Sequence, residues 1–473
     1  FIDGLVSAHL EVYNIAGATV SVVQNGRLLF AKGYGYADVE KKKRVEADRT
    51  LFRIGSTTKL FVWTAVMQLV EQGKLDLDTD INTYLSGETI PEAFDEPVTL
   101  KHLMAHTPGF EDYMLGVYAR DKDGLQPLGD ILAQERPYRV RPPGIVSSYS
   151  NHGAAMAAYI VEIVSDMSWN EYIETNILNP LGMTQTTLRQ PLPDRLAGDM
   201  SKGYVRGGGE FQAKEFEYIR LAPVGSASTT ATDMAKFMLL HLQQGRSDSV
   251  AILDTTLQQM HEPLFRHAPN VNPMAYGFMG MDRNGRRVVG HGGDTFWFHS
   301  VMVLLPEHGV GVFISYNSRQ GGTAKGKFYN AFMDRYFPAG NTSTLRPADD
   351  AQSRLQKYTG SYRSVRYPHR RLTKLAAGTT VKVSIRDDGT LKTSQDNAIR
   401  WVETGPLSFR EQDGLLTLGF REDEEGGISY MFYGDLPITA YERLGFLDMP
   451  ELYNTLGTVS VFLFLITVIL WPV

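Results

Sequence analysis

Two residues at the start of a predicted helix, Ser56 and Lys59, have the types and the spacing that acyl transfer requires. Residues 60–70 carry no charged side chain, and their apolar side chains fall on every face of a helix with 3.6 residues per turn. This pattern predicts a helix that is buried on most sides and ends near Gly73. Because residues three apart share one helix face, we expect the side chains of Ser56 and Lys59 to lie close together.

Lys59 is unusual at this position, because the dipole of a helix disfavours a cation in the first turn. A nucleophilic serine needs a base nearby, and partial desolvation beside positive potential lowers the pKa of a lysine toward that role. The alternative is that Ser56 only caps the helix and that Lys59 keeps its ammonium group at the surface. Serine and lysine at this spacing occur by chance in many chains, so the choice depends on other residues.

A second pair of polar residues, Tyr149 and Asn151, follows a chain break at residues 142–144 and precedes a helical run of small residues at 153–158. A tyrosine that faces a lysine loses its phenolic proton more readily than it does in water. It could then move a proton between a serine and a leaving group. An asparagine amide beside it can orient a substrate carbonyl and hydrogen-bond the lysine. Both residues would also fit an ordinary loop.

A third motif, at residues 290–294, places His291, Gly292, Gly293 and Asp294 between two predicted strands. Glycines in a strand mark the close approach of another backbone or of a ligand. A substrate that paired along this edge would receive main-chain hydrogen bonds. One N–H of the strand could join the N–H of Ser56 in an oxyanion hole. The alternative is a turn with a surface histidine.

The composition excludes several classes of function. The chain has 473 residues, of which 43% are hydrophobic, and this is long enough for two or more domains. Its net charge of -6 gives no electrostatic case for a nucleic-acid partner, and the absence of cysteine excludes disulfides and thiolate chemistry. His102 and His106 have the spacing of helical metal ligands but lack the glutamate of that motif. We therefore expect no metal and no other cofactor.

The strand signals lie at the two ends of the first 338 residues. Asn25 and Gly26 separate two β-rich runs at 18–31 and predict a hairpin. Residues 85–218 are typical mainly of helices and loops, and strand patterns return at 288–290 and 300–315. The sequence therefore predicts an α/β (α+β) domain at 1–338, with an antiparallel sheet flanked by helices and interrupted by a helical insertion.

The rest of the chain has a different pattern. After a linker at 339–350, short strands separated by turns predict a small all-β domain at 351–446, either a barrel or a sandwich. Residues 456–473 carry no charge, and their length is at the lower limit for a bilayer span. We expect a C-terminal transmembrane segment there, which the end of the chain could truncate.

The three motifs together resemble the serine β-lactamase and penicillin-binding-protein superfamily, and in particular its branch of class C β-lactamases, D-alanyl-D-alanine carboxypeptidases and D-aminopeptidases. The flanking sequences at 51–55, 69–78, 99–110 and 180–183 agree with this resemblance, which covers roughly residues 3–336. It implies a β-lactamase/transpeptidase-like fold. It also implies an acyl-enzyme mechanism without a cofactor.

The resemblance assigns a role to each motif residue. The implied catalytic residues are a nucleophile, its activating partner and a proton shuttle, namely Ser56, Lys59 and Tyr149. The implied substrate-binding residues, of which the last supplies the second oxyanion N–H, are Asn151, His291, Gly292, Gly293 and Asp294.

His291 departs from the β-lactamase pattern, which usually has a lysine at this position. The permanent positive charge that binds a substrate carboxylate is then missing. This absence favours peptidases, amidases and esterases over β-lactamases and carboxypeptidases. The aromatic run at 296–298 could line a specificity pocket or pack under the sheet.

The function expected from these patterns is that of a membrane-anchored serine hydrolase on the periplasmic or extracellular side. Its expected substrate is an amide next to a D-amino acid, in a cell-wall peptide or a natural-product prodrug. Its expected partners are a small peptide or acyl-D-amino-acid substrate and the lipid bilayer. The alternatives are an esterase or β-lactamase-like hydrolase, and a penicillin-binding sensor that deacylates slowly.

Overall fold

A hairpin with a tight turn at Asn25 and Gly26 begins the main sheet. In the computed structural model, strand β1 (Gly17–Gln24) pairs antiparallel with strand β2 (Arg27–Asp38). Both turn residues have positive φ angles, 49° and 78°, which Asn-Gly favours because it adopts them at little cost. The predicted hairpin is confirmed. The residues that the structure describes are 1–85, 89–112, 116–242, 254–340, 343–370 and 379–470.

The chain divides into two compact units. The first consists of Phe1–Arg266 and Asn272–Asn341, and the second of His267–Val271 and Thr342–Val473. The boundaries predicted from the sequence, 1–338, 351–446 and 456–473, stay predictions.

Seven strands form the main sheet of the first unit, in the order β10-β11-β12-β13-β1-β2-β3. All their pairings are antiparallel. The remaining strands of this unit form three two-stranded sheets, β4 with β9, β5 with β8 and β6 with β7. The bounds of strands β3 to β13 are Lys43–Arg44, Phe52–Arg53, Tyr118–Ala119, Gly203–Gly207, Glu210–Lys214, Tyr218–Ile219, Ser228–Thr229, Met279–Gly280, Val289–Asp294, His299–Leu305 and Val310–Tyr316.

Helices cover both faces of this sheet, and most of them lie in the chain between β3 and β10. This arrangement confirms the predicted antiparallel sheet with a helical insertion. The bounds of helices α1 to α10 are Ile2–Val12, Lys59–Glu71, Leu100–Met104, Leu128–Gln134, Asn151–Ser165, Trp169–Ile173, Asp194–Ala197, Ala231–Leu242, Asp254–His261 and Gly321–Tyr336.

The core of the first unit has two layers, one on each face of the sheet. Side chains of a strand alternate between faces, so Phe313 joins the cluster that contains α2, α5 and α8, whereas Val312 and Ile314 join the cluster with α1 and α10. Helix α2 is buried from Lys59 to Leu69, and its chain reverses after Gln72 at Gly73, where φ is +70°. The helix predicted after Ser56 is therefore confirmed, including its end.

The second unit contains a closed barrel of eight strands, β14 to β21. Strand β14 pairs with both β15 and β21, which closes the barrel and decides between the two predicted alternatives. Its core is rich in aromatic residues, among them Tyr358, Trp401 and Phe420. The bounds of β14 to β21 are Gly360–Ser364, Thr380–Ile385, Leu391–Thr393, Trp401–Gly405, Ser408–Glu411, Thr417–Glu422, Ile428–Tyr433 and Tyr441–Arg443.

Two further helices belong to the second unit, α11 (Ala351–Arg354) and α12 (Pro450–Leu470). Within the described ranges, no helix combines the length and the apolar character that crossing a membrane requires. This finding corrects the prediction of a transmembrane helix at 456–473. Residues 471–473 lie outside the described residues.

Candidate active site

Ser56 lies in a short 3-10 turn, Gly55–Thr58, which leads into helix α2. The residue before α2 is Thr58, and no side chain caps the helix, so Ser56 does not serve as its cap. Gly55 has a φ of +51°, and a Cβ there would lie 2.6 Å from the nitrogen of Asp294. Only glycine fits this contact, so the turn that carries Ser56 packs directly on the backbone of strand β11.

Lys59 is fully buried, which excludes the alternative of a surface lysine. Its Nζ donates to Oγ of Ser56 over 3.1 Å and to the carbonyl oxygen of Val224 over 2.9 Å. The second acceptor comes from a 3-10 turn at Ala222–Val224, which the sequence does not mark as functional. These two contacts hold the lysine nitrogen against the serine hydroxyl, as a proton transfer between them requires.

The ring of Tyr149 lies beside the lysine. Its ring centroid lies 5.0 Å from Nζ of Lys59, and the side chain is buried. The ring also packs against the rings of His106 and His291, with centroids 4.4 Å and 6.2 Å away. The structure thus brings Tyr149, which is distant in the chain, to the pair formed by Ser56 and Lys59.

His106 supports the tyrosine loop rather than a metal. Its Nδ1 accepts a hydrogen bond from the backbone N–H of Ser150 over 3.2 Å. His102 instead completes a capping box with Thr99 at the start of α3. The two histidines therefore have separate structural roles. In the described part of the chain, no group of three or more acidic or histidine side chains could hold a metal ion.

Asn151 is the first residue of helix α5, and Ser150 caps that helix by accepting from the N–H of Gly153 over 3.0 Å. The cap fixes the first turn and hence the position of Asn151. Oδ1 of Asn151 is buried and has no hydrogen-bond partner among the described residues. A buried amide oxygen without a partner costs free energy, so it is a good acceptor for an N–H of a ligand.

His291 is buried and neutral. Its Nδ1 lies 2.5 Å from the carbonyl oxygen of Gly292, which can only accept, so Nδ1 carries the proton and Nε2 is an acceptor. Burial lowers the pKa of His291 to about 3, and the positive charge of Lys59 acts in the same direction. Nε2 has no hydrogen-bond partner within the described ranges. The side chain therefore offers an acceptor to the site and no charge at neutral pH.

The strand edge at residues 291–294 is open. Strand β10 pairs with β11 only at Val289 and Gly290, so beyond these two residues no described strand adjoins β11 on that side. A Cβ at Gly293 would lie 1.8 Å from the carbonyl oxygen of Ile54, which explains the glycine. The edge can accept an extended substrate as a further strand. The N–H of Asp294 and that of Ser56 are the candidate oxyanion donors.

The carboxylate of Asp294 is held by two basic side chains. Nδ1 of His299 lies 2.6 Å from Oδ1, and Nζ of Lys325 in helix α10 lies 2.5 Å from Oδ2. Burial by itself would raise the pKa of Asp294, but the His299 hydrogen bond and the Lys325 charge outweigh it and lower the pKa to about 2. Lys325 belongs to none of the sequence motifs, and no local pattern connects it with the site.

The aromatic run at 296–298 shows the predicted packing under the sheet, and its role in a specificity pocket stays a prediction. Phe298 is buried and packs edge-on against Phe52, with ring centroids 5.9 Å apart. Phe296 is 55% exposed and stacks on Tyr118 over 4.3 Å. Glu217 holds this loop, because its carboxylate accepts from the N–H of Phe296 over 2.6 Å and also from Thr295. The run therefore packs under the sheet at one end and exposes an aromatic surface at the other.

The similarities to known proteins agree with this geometry. The sequence model of the Beta-lactamase family matches residues 2–332. Protein flp of Staphylococcus aureus (strain N315) is 27% identical over 325 residues, which are 67% of this chain and 62% of flp. The match thus spans about three fifths of the length of that curated relative.

Two solved structures share the fold over nearly the whole chain. The octameric penicillin-binding protein homologue from Pyrococcus abyssi is similar with a TM-score of 0.62 and 21% identity, covering 93% of this chain and 99% of the other. SurE, in its structure with D-Leu, is similar with a TM-score of 0.64 and 21% identity, covering 94% and 98%. At this level of identity the likeness shows the fold alone.

Proposed function

Because the chain belongs to the Beta-lactamase family, whose superfamily consists of serine hydrolases, we propose that it cleaves an amide bond next to a D-amino acid through an acyl-enzyme on Ser56. The observation that carries this proposal is the hydrogen bond of 3.1 Å between Nζ of the buried Lys59 and Oγ of Ser56. A buried amine in contact with a partly exposed serine hydroxyl is the arrangement that activates such a nucleophile.

In the proposed acylation step, Oγ of Ser56 attacks the substrate carbonyl carbon while its proton passes to Lys59 or Tyr149. The carbonyl oxygen takes up negative charge and accepts hydrogen bonds from the N–H groups of Ser56 and Asp294. Gly55 supports this geometry, because its contact with the Asp294 backbone ties the two donors together.

The leaving amine then needs a proton. We assign its delivery to Tyr149, whose ring lies beside Lys59, so that the proton from the serine reaches the amine through these two side chains. The C–N bond breaks and the amine departs. Water afterwards attacks the ester carbonyl of the acyl-enzyme, and the same two side chains take a proton from this water and pass it to Oγ of Ser56. The ester C–O bond breaks and the acid departs.

The substrate class follows from His291 and the open strand edge. A neutral imidazole gives a free carboxylate little attraction, whereas its acceptor Nε2 suits a substrate N–H. We therefore propose substrates in which a chain or a neutral group continues beyond the scissile bond. The structure of SurE with D-Leu supports a D-amino acid in this fold, as a property of that protein.

The test is a set of four probes: acyl-D-amino-acid amides, D-Ala-D-Ala peptides, nitrocefin and short esters. Mass spectrometry of the intact protein should show an acyl adduct on Ser56 and turnover of the amides. Ser56→Ala should abolish both, and Ser353→Ala, an exposed serine of the second unit, should change neither. Turnover of the esters alone would favour an esterase, and an adduct that persists without turnover would favour a sensor.

We also propose that the protein acts at the outer side of the cell membrane, where D-amino-acid peptides occur. Support comes from the exposed apolar residues of helix α12, for example Phe462 and Phe464, which a lipid surface would cover. The lipid contact is a proposal about this helix and is separate from the chemistry at Ser56.

A further inference from the structure

The peptide group between Gly293 and Asp294 has a cation at its carbonyl end. Nζ of Lys325 lies 3.4 Å from the carbonyl oxygen of Gly293 and 2.5 Å from Oδ2 of Asp294. A Cβ at Gly292 would lie 3.6 Å from the same nitrogen, which is an ordinary contact distance, so the ammonium group also lies beside residue 292.

The N–H of the same peptide points away from Lys325, because the C=O and N–H of a trans peptide point in opposite directions. The Asp294 nitrogen lies beside Gly55, where a Cβ would approach it to 2.6 Å. Lys325 therefore contacts one end of the peptide dipole, while the other end is next to the turn that carries Ser56. A positive charge at the carbonyl end favours this orientation of the peptide.

The side chain of Asp294 places a negative charge close to this N–H. Its pKa of about 2 means that the carboxylate is ionised at neutral pH. Negative charge beside an oxyanion opposes the charge that develops on the substrate oxygen. The carboxylate needs a compensating cation if the N–H is to stabilise an oxyanion, and Lys325 makes the shortest contact with it.

We propose that Lys325 is a positioning residue that neutralises Asp294 beside the oxyanion hole and fixes the Gly293–Asp294 peptide. This inference rests on the proposed acyl-enzyme function and adds a residue from helix α10 to it. Lys325 does not touch the reacting atoms. The competing role for a cation at this edge is direct binding of a substrate carboxylate, and the experiment separates the two.

The experiment measures the rate at which two probes label Ser56. A fluorescent penicillin carries a carboxylate, whereas an alkyl fluorophosphonate carries none but places an oxygen in the oxyanion hole. Lys325→Met should slow labelling by both probes about tenfold or more, because it removes the lysine charge from Asp294 and leaves His299 as the remaining partner of that carboxylate. The double variant Asp294→Asn with Lys325→Met should regain most of the lost rate with both probes.

Two controls keep the result interpretable. Lys327→Met removes an exposed lysine from the same helix and should label at the wild-type rate. Lys325→Arg keeps the charge and should retain most of the rate, which separates loss of charge from loss of folding. Thermal unfolding of each variant checks that the first unit remains folded.

Three results would overturn the inference. Slower labelling by the penicillin alone would show that Lys325 binds the probe carboxylate, and unchanged labelling by both probes would show that it has no role. A double variant as slow as Lys325→Met would show that the charge of Asp294 is not what the lysine offsets. If neither probe labels Ser56 in the wild type, the proposed function itself is wrong, and the inference falls with it.

Discussion

The sheet of the first unit leaves part of a strand edge unpaired, whereas the barrel of the second unit pairs its strands all the way round. In the barrel, β14 pairs with β15 on one side and with β21 on the other, so its backbone groups are used within the fold. In the sheet, β11 loses its outer neighbour after Gly290. Outward-facing main-chain groups of this edge, such as the N–H of Asp294, are therefore available to a ligand, and they lie next to the turn that carries Ser56.

The difference shows where each unit can do chemistry. A closed barrel gains stability because it has no unpaired edge, but it offers an extended substrate no strand to pair with. The sheet gives up pairing over four residues and gains donors and acceptors in fixed positions. The buried groups of the site, Lys59, Tyr149 and His291, lie together beside this edge.

The largest expected effect tests whether the side chains beside the open edge carry the chemistry. Lys59→Ala and Tyr149→Phe should each reduce turnover at least about a hundredfold, because each removes a proton-transfer group. The barrel offers matched controls in Lys357→Ala and Tyr430→Phe, which should leave steady-state kcat unchanged. Full activity of Tyr149→Phe would show that the proton takes another route.

The second effect tests the packing that shapes the edge. Gly293→Ala should slow labelling of Ser56 at least about tenfold, since its Cβ would meet the Ile54 oxygen at 1.8 Å and displace the strand. It should also lower the free energy of unfolding by about 1–3 kcal/mol. In the barrel strand β17, a Cβ at Gly405 meets nothing within 4 Å, so Gly405→Ala should change neither quantity. Urea denaturation measures the free energy of unfolding, and the labelling rate of Ser56 is measured separately. Equal effects of Gly293→Ala and Gly405→Ala would contradict the proposed role of the Gly293 contact.

The third effect concerns the charge at the edge. His291→Lys should shift the ratio of kcat/KM toward a carboxylate substrate over its amide by about 1–2 kcal/mol, roughly 5- to 30-fold. The reason is that a neutral imidazole is replaced by an ammonium group. His308→Lys, in the turn Pro306–His308, should leave the ratio unchanged. An unchanged ratio in His291→Lys would show that residue 291 does not face the substrate.

A smaller effect distinguishes the units by their response to acid. Burial lowers the pKa of His152 to about 4, of His261 and His291 to about 3 and of His241 well below its usual value, all in the first unit. In the second unit it lowers the pKa of His267 to about 3. In the unfolded chain each of these histidines binds a proton near pH 6.5. In the folded chain the buried imidazoles stay neutral at that pH.

The stabilising contribution of these histidines is therefore complete above about pH 6.5. It falls as the pH decreases toward 4, by up to about 1.4 kcal/mol per pH unit for each histidine. We expect the first unit to lose stability more steeply than the second. The stability of each unit can be measured by limited proteolysis in urea at several pH values. Mass spectrometry assigns each fragment to its unit. A steeper loss in the barrel would contradict the expectation.

The smallest expected effect on catalysis is that of removing helix α12. A chain that ends before Asp448 should label at Ser56 at the full rate, because the site is built within the first unit. It should lose sedimentation with phosphatidylglycerol and phosphatidylethanolamine vesicles, which the full chain should show. A truncated chain that still sediments would place the lipid contact elsewhere.

Features that depend on local sequence could be predicted before the structure. Asn25 and Gly26 dictate a turn by their own conformations, and the apolar residues after Lys59 dictate a buried helix. The motif residues Ser56, Tyr149 and His291 could be brought together only through the resemblance, since nothing in their local sequences relates them. The structure shows that they do lie together.

Other features depend on contacts between distant parts of the chain and could not be predicted. Ser56 is not a helix cap, because the contact of Gly55 with Asp294 imposes a 3-10 turn first. Closure of the barrel depends on the pairing of β14 with β21. Lys325 and the carbonyl of Val224 reach the site from elements without any motif. The apolar run at the C-terminus predicted a membrane span from composition alone, and no helix in the described part of the chain meets the requirements for one.

The two ends of the main sheet also bear on how the protein avoids aggregation. An exposed strand edge is a template on which another chain can add, and long flat edges lead to fibres. The outer strand at one end, β3, has only two residues, Lys43 and Arg44, and both are cationic. At the other end the free segment of β11 is four residues long and finishes at a charged aspartate. Such an edge is long enough to align a short peptide and too short to recruit a second copy of the sheet.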